Sequence, residues 1–341
     1  MMFGSDQKNT KSKEHHEEIV LTKVVTLSAL CFAVAWAGPT AATSKYPAKP
    51  VRMIVPFVAG GGTDVVARAV AQKLSDRIGQ QFVVDNRPGA GGRIAMEMTA
   101  QAAPDGYTIT MISGTTTASS NLQKNLPYDF AKDFAPITQV TEQPYVVLVP
   151  NALPVKSIPE LIALAKAKPN SLNYGSSGTG GMQHLAGTLL SQKAGITMVH
   201  VPYKGGGQVI VDLVAGQIQL AFLNPLGARP HITAGRVRGI AVTTRKRAQA
   251  FPNLPAIAET IPGFDVSNWY GLVAPARTPQ QVVQFLHQNV VAVLGDADLR
   301  DRLEKEGSEL LGSTPKEFGR HIVNEVQMWG KVIREAGIEA N

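Results

Sequence analysis

Two stretches of the chain combine glycines with hydroxyl side chains, and they are where its chemistry is most readable. The first is Pro56-Phe57-Val58-Ala59-Gly60-Gly61-Gly62-Thr63-Asp64 and the second is Asn173-Tyr174-Gly175-Ser176-Ser177-Gly178-Thr179-Gly180-Gly181. Each stands between a strand-like run and a helix-like run. A glycine loop in that place bares backbone N–H groups at the positive end of a helix dipole, which suits an anion. Ser176, Ser177 and Thr179 add O–H donors without adding charge. A bond from such a donor to a carboxylate contributes roughly 1.5–3 kcal/mol. Gly60, Gly61, Gly62, Thr63 and Asp64 therefore read as one ligand-binding loop, and Ser176, Ser177, Gly178, Thr179 and Gly180 as a second. The plain alternative is that the glycines only turn the chain. His184, one turn into the following helix, either points at the site or packs the loop.

Other chemistries find less support. Neither loop has the Lys-Ser/Thr ending of a P-loop or the G-x-G-x-x-G dinucleotide spacing. There is no G-x-S-x-G elbow and no H-E-x-x-H, so no catalytic residue, metal or cofactor is expected. His184, His200, His231, His287 and His321 show no metal-ligand spacing. A Ser176/His184/Asp64 constellation can be drawn, but nothing in the spacing supports it.

Strand and helix patterns alternate around these loops. Val51–Val55 is an apolar run ending at Pro56, and Val66, Val70, Leu74 and Ile78 form a stripe at spacing four that Gly79 closes, with Thr63 or Asp64 able to cap it. Strands follow at 82–84 and 107–112, separated by the turn 86–92 and a helix over 94–103. Later strands are predicted at 145–149, 172–174, 198–201, Leu220–Leu223 and 239–242. Helices are predicted at Ile158–Ala167 (with Ser157 as cap), Met182–Ala194, 209–215, 279–294 and 315–336. This alternation predicts α/β domains with mostly parallel sheets. The 341 residues are enough for two such domains.

Composition narrows the class further. The net charge is +7, yet the densest cluster outside the N-terminal segment is only Arg245-Lys246-Arg247, without interleaved aromatics. It reads as a solvated turn, and no nucleic-acid partner is expected. Lys23, the apolar run 24–37 and the small residues 38–44 describe a secretory signal peptide, too short to span a bilayer. Cleavage is expected after Ala37 or Ala42, and the polar first 20 residues place the start of translation nearer Val20 or Leu21. The one cysteine, Cys31, falls in this leader, so the exported protein has no disulfide and no thiolate.

Read in order, the chain resembles the Bug or TctC-like solute receptors of tripartite tricarboxylate transporters. The resemblance rests on residues 56–64, 86–92, 104–108, 126–129 with 132–134, 173–181 with 184–187, 201–205, and 269–272 with Ala274-Pro275, and it spans nearly all of the chain after residue 45. It implies a type II periplasmic-binding-protein fold, with one domain from 46–141 plus 271–341 and another from 142–270. It also implies periplasmic capture of a small carboxylate for delivery to membrane permease subunits, and a monomer is the default for a receptor with a moving cleft. The loops matching 57–64, including Phe57, and 176–181 would hold one ligand carboxylate, with Thr115 and Asn224 near the other end. Ala59 stands where a proline is common, Thr115-Thr116-Thr117 replaces a segment that often carries histidine, and Leu223-Asn224-Pro225 lacks an acid found in some relatives. That last departure favours a plain mono- or dicarboxylate over an amino acid. Signalling to a sensor kinase is the first alternative, and an exported hydrolase using Ser176 the second. Lys204 reads either as an anion attractor or as a surface lysine, and Arg87 as a structural clamp or a permease contact.

Overall fold

The branched, apolar segment Val51–Val55 forms strand β1, fully buried apart from Arg52. The computed structural model describes residues 46–123, 125–203 and 205–339. The leader expected over residues 1–42 and Lys204 lie outside them. After β1 come α1 (Gly62–Ile78), β2 (Phe82–Asn86), α2 (Arg93–Gln101), β3 (Thr108–Ser113) and α3 (Gly114–Ser120). Gly79 ends α1 in the left-handed conformation, with its N–H on the Ser75 carbonyl. At the other end the cap is Gly61, not Thr63 or Asp64, which lie inside the first turn.

The chain then runs through β4 (Phe134–Pro144), β5 (Val146–Pro150), α4 (Ile158–Ala167), β6 (Asn173–Ser176), α5 (Met182–Ala194), β7 (Val199–Pro202), α6 (Gly206–Val214), β8 (Leu220–Leu223), α7 (Pro225–Thr233) and β9 (Val237–Val242). It closes with β10 (Ser267–Pro275), α8 (Gln280–Leu294), α9 (Ala297–Lys305), β11 (Glu309–Leu310) and α10 (Pro315–Glu335). Ser157 caps α4 as expected, accepting the Glu160 N–H.

Two sheets result, in the orders β11-β4-β10-β3-β1-β2 and β7-β6-β8-β5-β9. In the first, β1 pairs parallel with β2 and β3, whereas β10 runs antiparallel to β3 and β4, and β11 antiparallel to β4. In the second, β6 pairs parallel with β7 and β8, and β5 antiparallel with β8 and β9. The sheets are thus mixed rather than mostly parallel. The reason is that β10 and β5, each entered after the chain crosses between the sheets, run against the parallel strands of their sheets.

The last helix belongs to both cores. Phe318 and Ile322, in its first half, pack with Met96, Ile112 and Trp269 around the first sheet. Trp329, Val332 and Ile333, two turns on, pack with Tyr145, Tyr174, Leu185 and Phe222 around the second. Between them Glu325 accepts the indole N–H groups of Trp269 and Trp329, each at 3.0 Å. No helix among the described residues is long and apolar enough to cross a membrane.

Candidate functional site

The first loop is shaped by Asp64. Its Oδ2 accepts the Gly60 N–H at 2.9 Å and Arg68 Nε at 3.0 Å, and its Oδ1 accepts Asn86 Nδ2 at 2.8 Å. Asn86 Nδ2 also reaches the Phe57 carbonyl at 3.0 Å. Burial pushes the Asp64 pKa up, but the bonds from Arg68, Gly60 and Asn86 and the attraction of Arg68 outweigh it and hold the carboxyl below its ordinary value. The Asp64 carboxylate is therefore engaged by the loop itself. Gly60, at φ +83°, takes the left-handed turn this wrap demands.

What remains open in this loop is the start of α1. Gly61 supplies no side-chain cap, so the first-turn amides of Gly62, Thr63 and Asp64 have no capping acceptor from it. Tyr270 of β10 sits against them: a Cβ on Gly62 would run into its hydroxyl, and that hydroxyl hydrogen-bonds Thr63 and accepts Asn268 Nδ2 at 2.8 Å. Thr115, half-buried in the first turn of α3, leaves the same sheet at the adjacent strand. A Cβ on Gly92 would meet both Pro56 and Thr116, so the loops after β1, β2 and β3 come together here. Phe57 is half-buried beside them.

The second loop leaves β6 and is closed by its own bonds. Ser176 is wholly buried; its hydroxyl donates to the Gly178 carbonyl at 2.9 Å and accepts the Gly178 N–H at 3.2 Å. His200 Nε2 lies 2.6 Å from the same oxygen. The Gly180 N–H donates to His184 Nδ1 at 3.0 Å and the Ser177 N–H to Gln183 Oε1 at 2.8 Å. Burial drives both histidines down to about 4, so they are neutral near neutral pH; for His184 the neighbouring His200 adds to the effect. Exposed Ser177 and Thr179 are the hydroxyls left facing out, and α5 begins, like α1, at a glycine (Gly181) with no side-chain cap.

The predicted residues thus divide. Gly61, Gly62, Thr63, Ser177, Gly178 and Thr179 surround two uncapped helix starts. Asp64, Ser176 and Gly180 hold the loops in shape. Asn224 ends the neighbouring strand β8; exposed, it caps α7 by accepting the Gly227 N–H at 2.9 Å and keeps its amide donors free to face outward. His184 packs the loop. His200 was not expected at the site: it lies 24 residues from Ser176 and is brought there by the parallel β6–β7 register that pairs Tyr174 with it. The period-two reading of both strands is the one sequence signal that could have shown it.

Trp269 is buried, and Tyr270, also buried, touches the first loop. Arg87 clamps Asp85 at 3.0 Å. Arg245 and Arg247 are exposed and paired with Asp265 and Glu259. Among the described residues no group of three or more His, Cys, Asp or Glu is placed to hold a metal. A cavity of about 580 Å³ opens beside β4, lined by Glu142, Asp265, Glu309, Arg229 and residues 244–250. None of the predicted site residues lines it, and much of its charge is already matched, Arg245 by Asp265, Arg247 by Glu259 and Glu304 by Arg300.

Comparison with known proteins identifies the family and the fold. Residues 66–338 match the family model described as tripartite tricarboxylate transporter family receptor. Protein BugT of Bordetella pertussis is 32% identical over 320 residues, covering 93% of this chain and 98% of its own. An R. palustris protein solved with adipate is 37% identical with a TM-score of 0.72, covering 86% of this chain and 99% of its own. MatC from Rhodopseudomonas palustris, with bound malate, is 30% identical with a TM-score of 0.69, covering 84% and 100%. The fold is that of the periplasmic solute-binding proteins, and the chain belongs to the tripartite tricarboxylate transporter receptor family.

Proposed function

We propose that this receptor is exported to the periplasm and there captures a small dicarboxylate, which it delivers as a monomer to the membrane subunits of a transporter. The observation that carries the reading is the pair of uncapped, glycine-started helices α1 and α5, one from each sheet, flanked by Thr63, Ser177 and Thr179. Neutral donors at a helix start stabilise a carboxylate without a competing cation. In this reading residues 46–141 with 271–341 form one domain and 142–270 the other, and the ligand draws them together by binding the closed form better. Thr115 and Asn224 meet its distal end. The relatives with adipate and malate make aliphatic dicarboxylates the first ligands to try. A micromolar dissociation constant needs about −8 kcal/mol, within reach of a few charge-assisted bonds in a desolvated cleft.

Binding is favoured over chemistry because Ser176, among the described residues the one serine with a histidine partner, is buried and its proton is engaged by Gly178. A nucleophile must be reachable and must hand its proton to the base.

A thermal-shift screen of the exported form tests the reading. Adipate and malate should raise the melting temperature with concentration, and their diamides should not. Aspartate and glutamate should act more weakly than malate, because no acidic side chain of the Leu223–Pro225 segment is there to meet an ammonium. A panel in which only sugars or amines shift the melt overturns the assignment.

A further inference from the structure

Beside the bonds that the second loop makes within itself, two stacked imidazoles bear on it. The rings of His184 and His200 lie 3.7 Å apart at 9° to one another, and Tyr174 of β6 covers both, at 6.2 and 5.1 Å. We propose that His184 and His200 are positioning residues of the carboxylate loop, which keep Ser177, Gly178 and Thr179 in binding geometry only while both rings are neutral and each carries its proton on Nε2. This deepens, and rests on, the dicarboxylate reading above.

The tautomers follow from the partners. The Gly180 N–H can only donate, so His184 Nδ1 must accept and its proton sits on Nε2. The single proton of Ser176 goes to the Gly178 carbonyl, so the contact with His200 needs His200 Nε2–H as donor. Each histidine thus fixes one end of the segment 176–180, His200 through Ser176 and His184 through Gly180. The stack ties the two ends together. Protonating His184 puts hydrogen on Nδ1 and turns it towards the Gly180 N–H, donor against donor. Protonating His200 adds charge beside a neutral ring with little water. The groups in ring or hydrogen-bond contact with the pair are Tyr174 and Ser176 of β6, Gly180 of the loop and each other. Thr188 of α5, Phe222 of β8 and the Tyr174 hydroxyl lie beyond them. None of these brings a charge that would favour an imidazolium, in keeping with the depressed histidine pKa values.

The test pairs deletion with mimicry. An asparagine Oδ1 can stand for Nδ1 and a glutamine Nε2 for the ring Nε2–H. His184→Ala and His200→Ala should weaken adipate or malate binding by about tenfold or more, whereas His184→Asn and His200→Gln should stay within about threefold of the parent protein. All four lose the stack, so all should melt lower by similar amounts, and a purely structural role would weaken binding alike in each. Below about pH 5 the affinity of the parent protein should fall more steeply than that of the doubly substituted His184→Asn/His200→Gln protein, in which only the carboxyl groups of the ligand titrate. Equal affinities for the alanine and mimic variants, or the same pH dependence in the parent and the doubly substituted protein, overturn the proposal. If no dicarboxylate binds the parent protein, the functional reading fails, and the positioning role is then judged by hydrogen exchange. The Gly180 amide must exchange about tenfold faster in His184→Ala than in His184→Asn, and equal rates overturn it.

Discussion

Replacing Gly62 with alanine asks whether Tyr270 really bears on the start of α1. A methyl there would overlap the Tyr270 hydroxyl, well inside the roughly 3.5 Å at which heavy atoms touch, so one group must give way by about 1 Å. Neither can do so freely. Tyr270 is buried, its hydroxyl is held by Thr63 and Asn268, and its strand is paired on both sides. Such overpacking costs about 1–3 kcal/mol, against which alanine returns at most about 1 kcal/mol as a better helix former than glycine. Tyr270→Phe alone leaves Asn268 Nδ2 with only its 3.3 Å bond to Gln143, a loss of about 1–2 kcal/mol. Combined, the two substitutions should cost less than their sum. The phenylalanine has no oxygen for the methyl to meet, and the Thr63 and Asn268 bonds can be lost only once. The coupling should be about 1–3 kcal/mol in the compensating direction. Urea unfolding of the four proteins near neutral pH measures it, provided the slopes agree. Adipate affinity should follow the same pattern, falling in Gly62→Ala and partly returning in the double variant. Additivity to within about 0.5 kcal/mol would refute the claim that the Tyr270 hydroxyl sets the place of this helix start.

Asp64→Asn should cost about 1–3 kcal/mol, since whichever way the amide is turned its NH2 faces at least one of the three donors, with the share owed to half-exposed Arg68 screened by water. Because the folded pKa lies below the unfolded one, the Asp64 contribution is complete above the ordinary value of 3.8 and is lost as pH falls through the folded value. The gap between parent and variant in urea melts should therefore be constant at neutral pH and close only in acid. Glu325 has the opposite sign. Burial, with a smaller push from Asp265 and Glu142, raises it to about 7 against the indole N–H bonds that lower it, so the folded state keeps a proton that the unfolded state has lost. Stability should fall as pH rises from about 4.5 to 7 and level off above, by an amount on the order of 3 kcal/mol, and Glu325→Gln should flatten that slope. Trp329→Ala should cost about 3–5 kcal/mol and loosen the second core, although α10 begins in the first.

What the sequence made legible was the location of the loops, because glycine and hydroxyl clusters at strand ends are local signals. Val51–Val55, Ile158–Ala167, Met182–Ala194 and Leu220–Leu223 have the bounds their patterns predict. The long strands β4 and β10 were harder to read. β4 carries Pro136, Thr138, Gln139, Thr141 and Gln143 where an apolar run would be expected, since it serves two neighbours and a hydrogen-bond chain rather than a simple core. The division of labour within the loops was also hidden. Asp64 and Thr63 have the residue types of caps, but three donors from residues 60, 68 and 86 consume the Asp64 carboxylate and Tyr270 engages Thr63, so the cap falls to Gly61. Ser176 has the type of a ligand donor or a nucleophile, yet a histidine from the next parallel strand fixes it inward. In both loops the residue with the most chemistry is used to shape the backbone. A glycine-rich segment shows that donors are bared somewhere. Which donors face the ligand is decided by partners that arrive only when the strands pair, and that information lies in register rather than in motif.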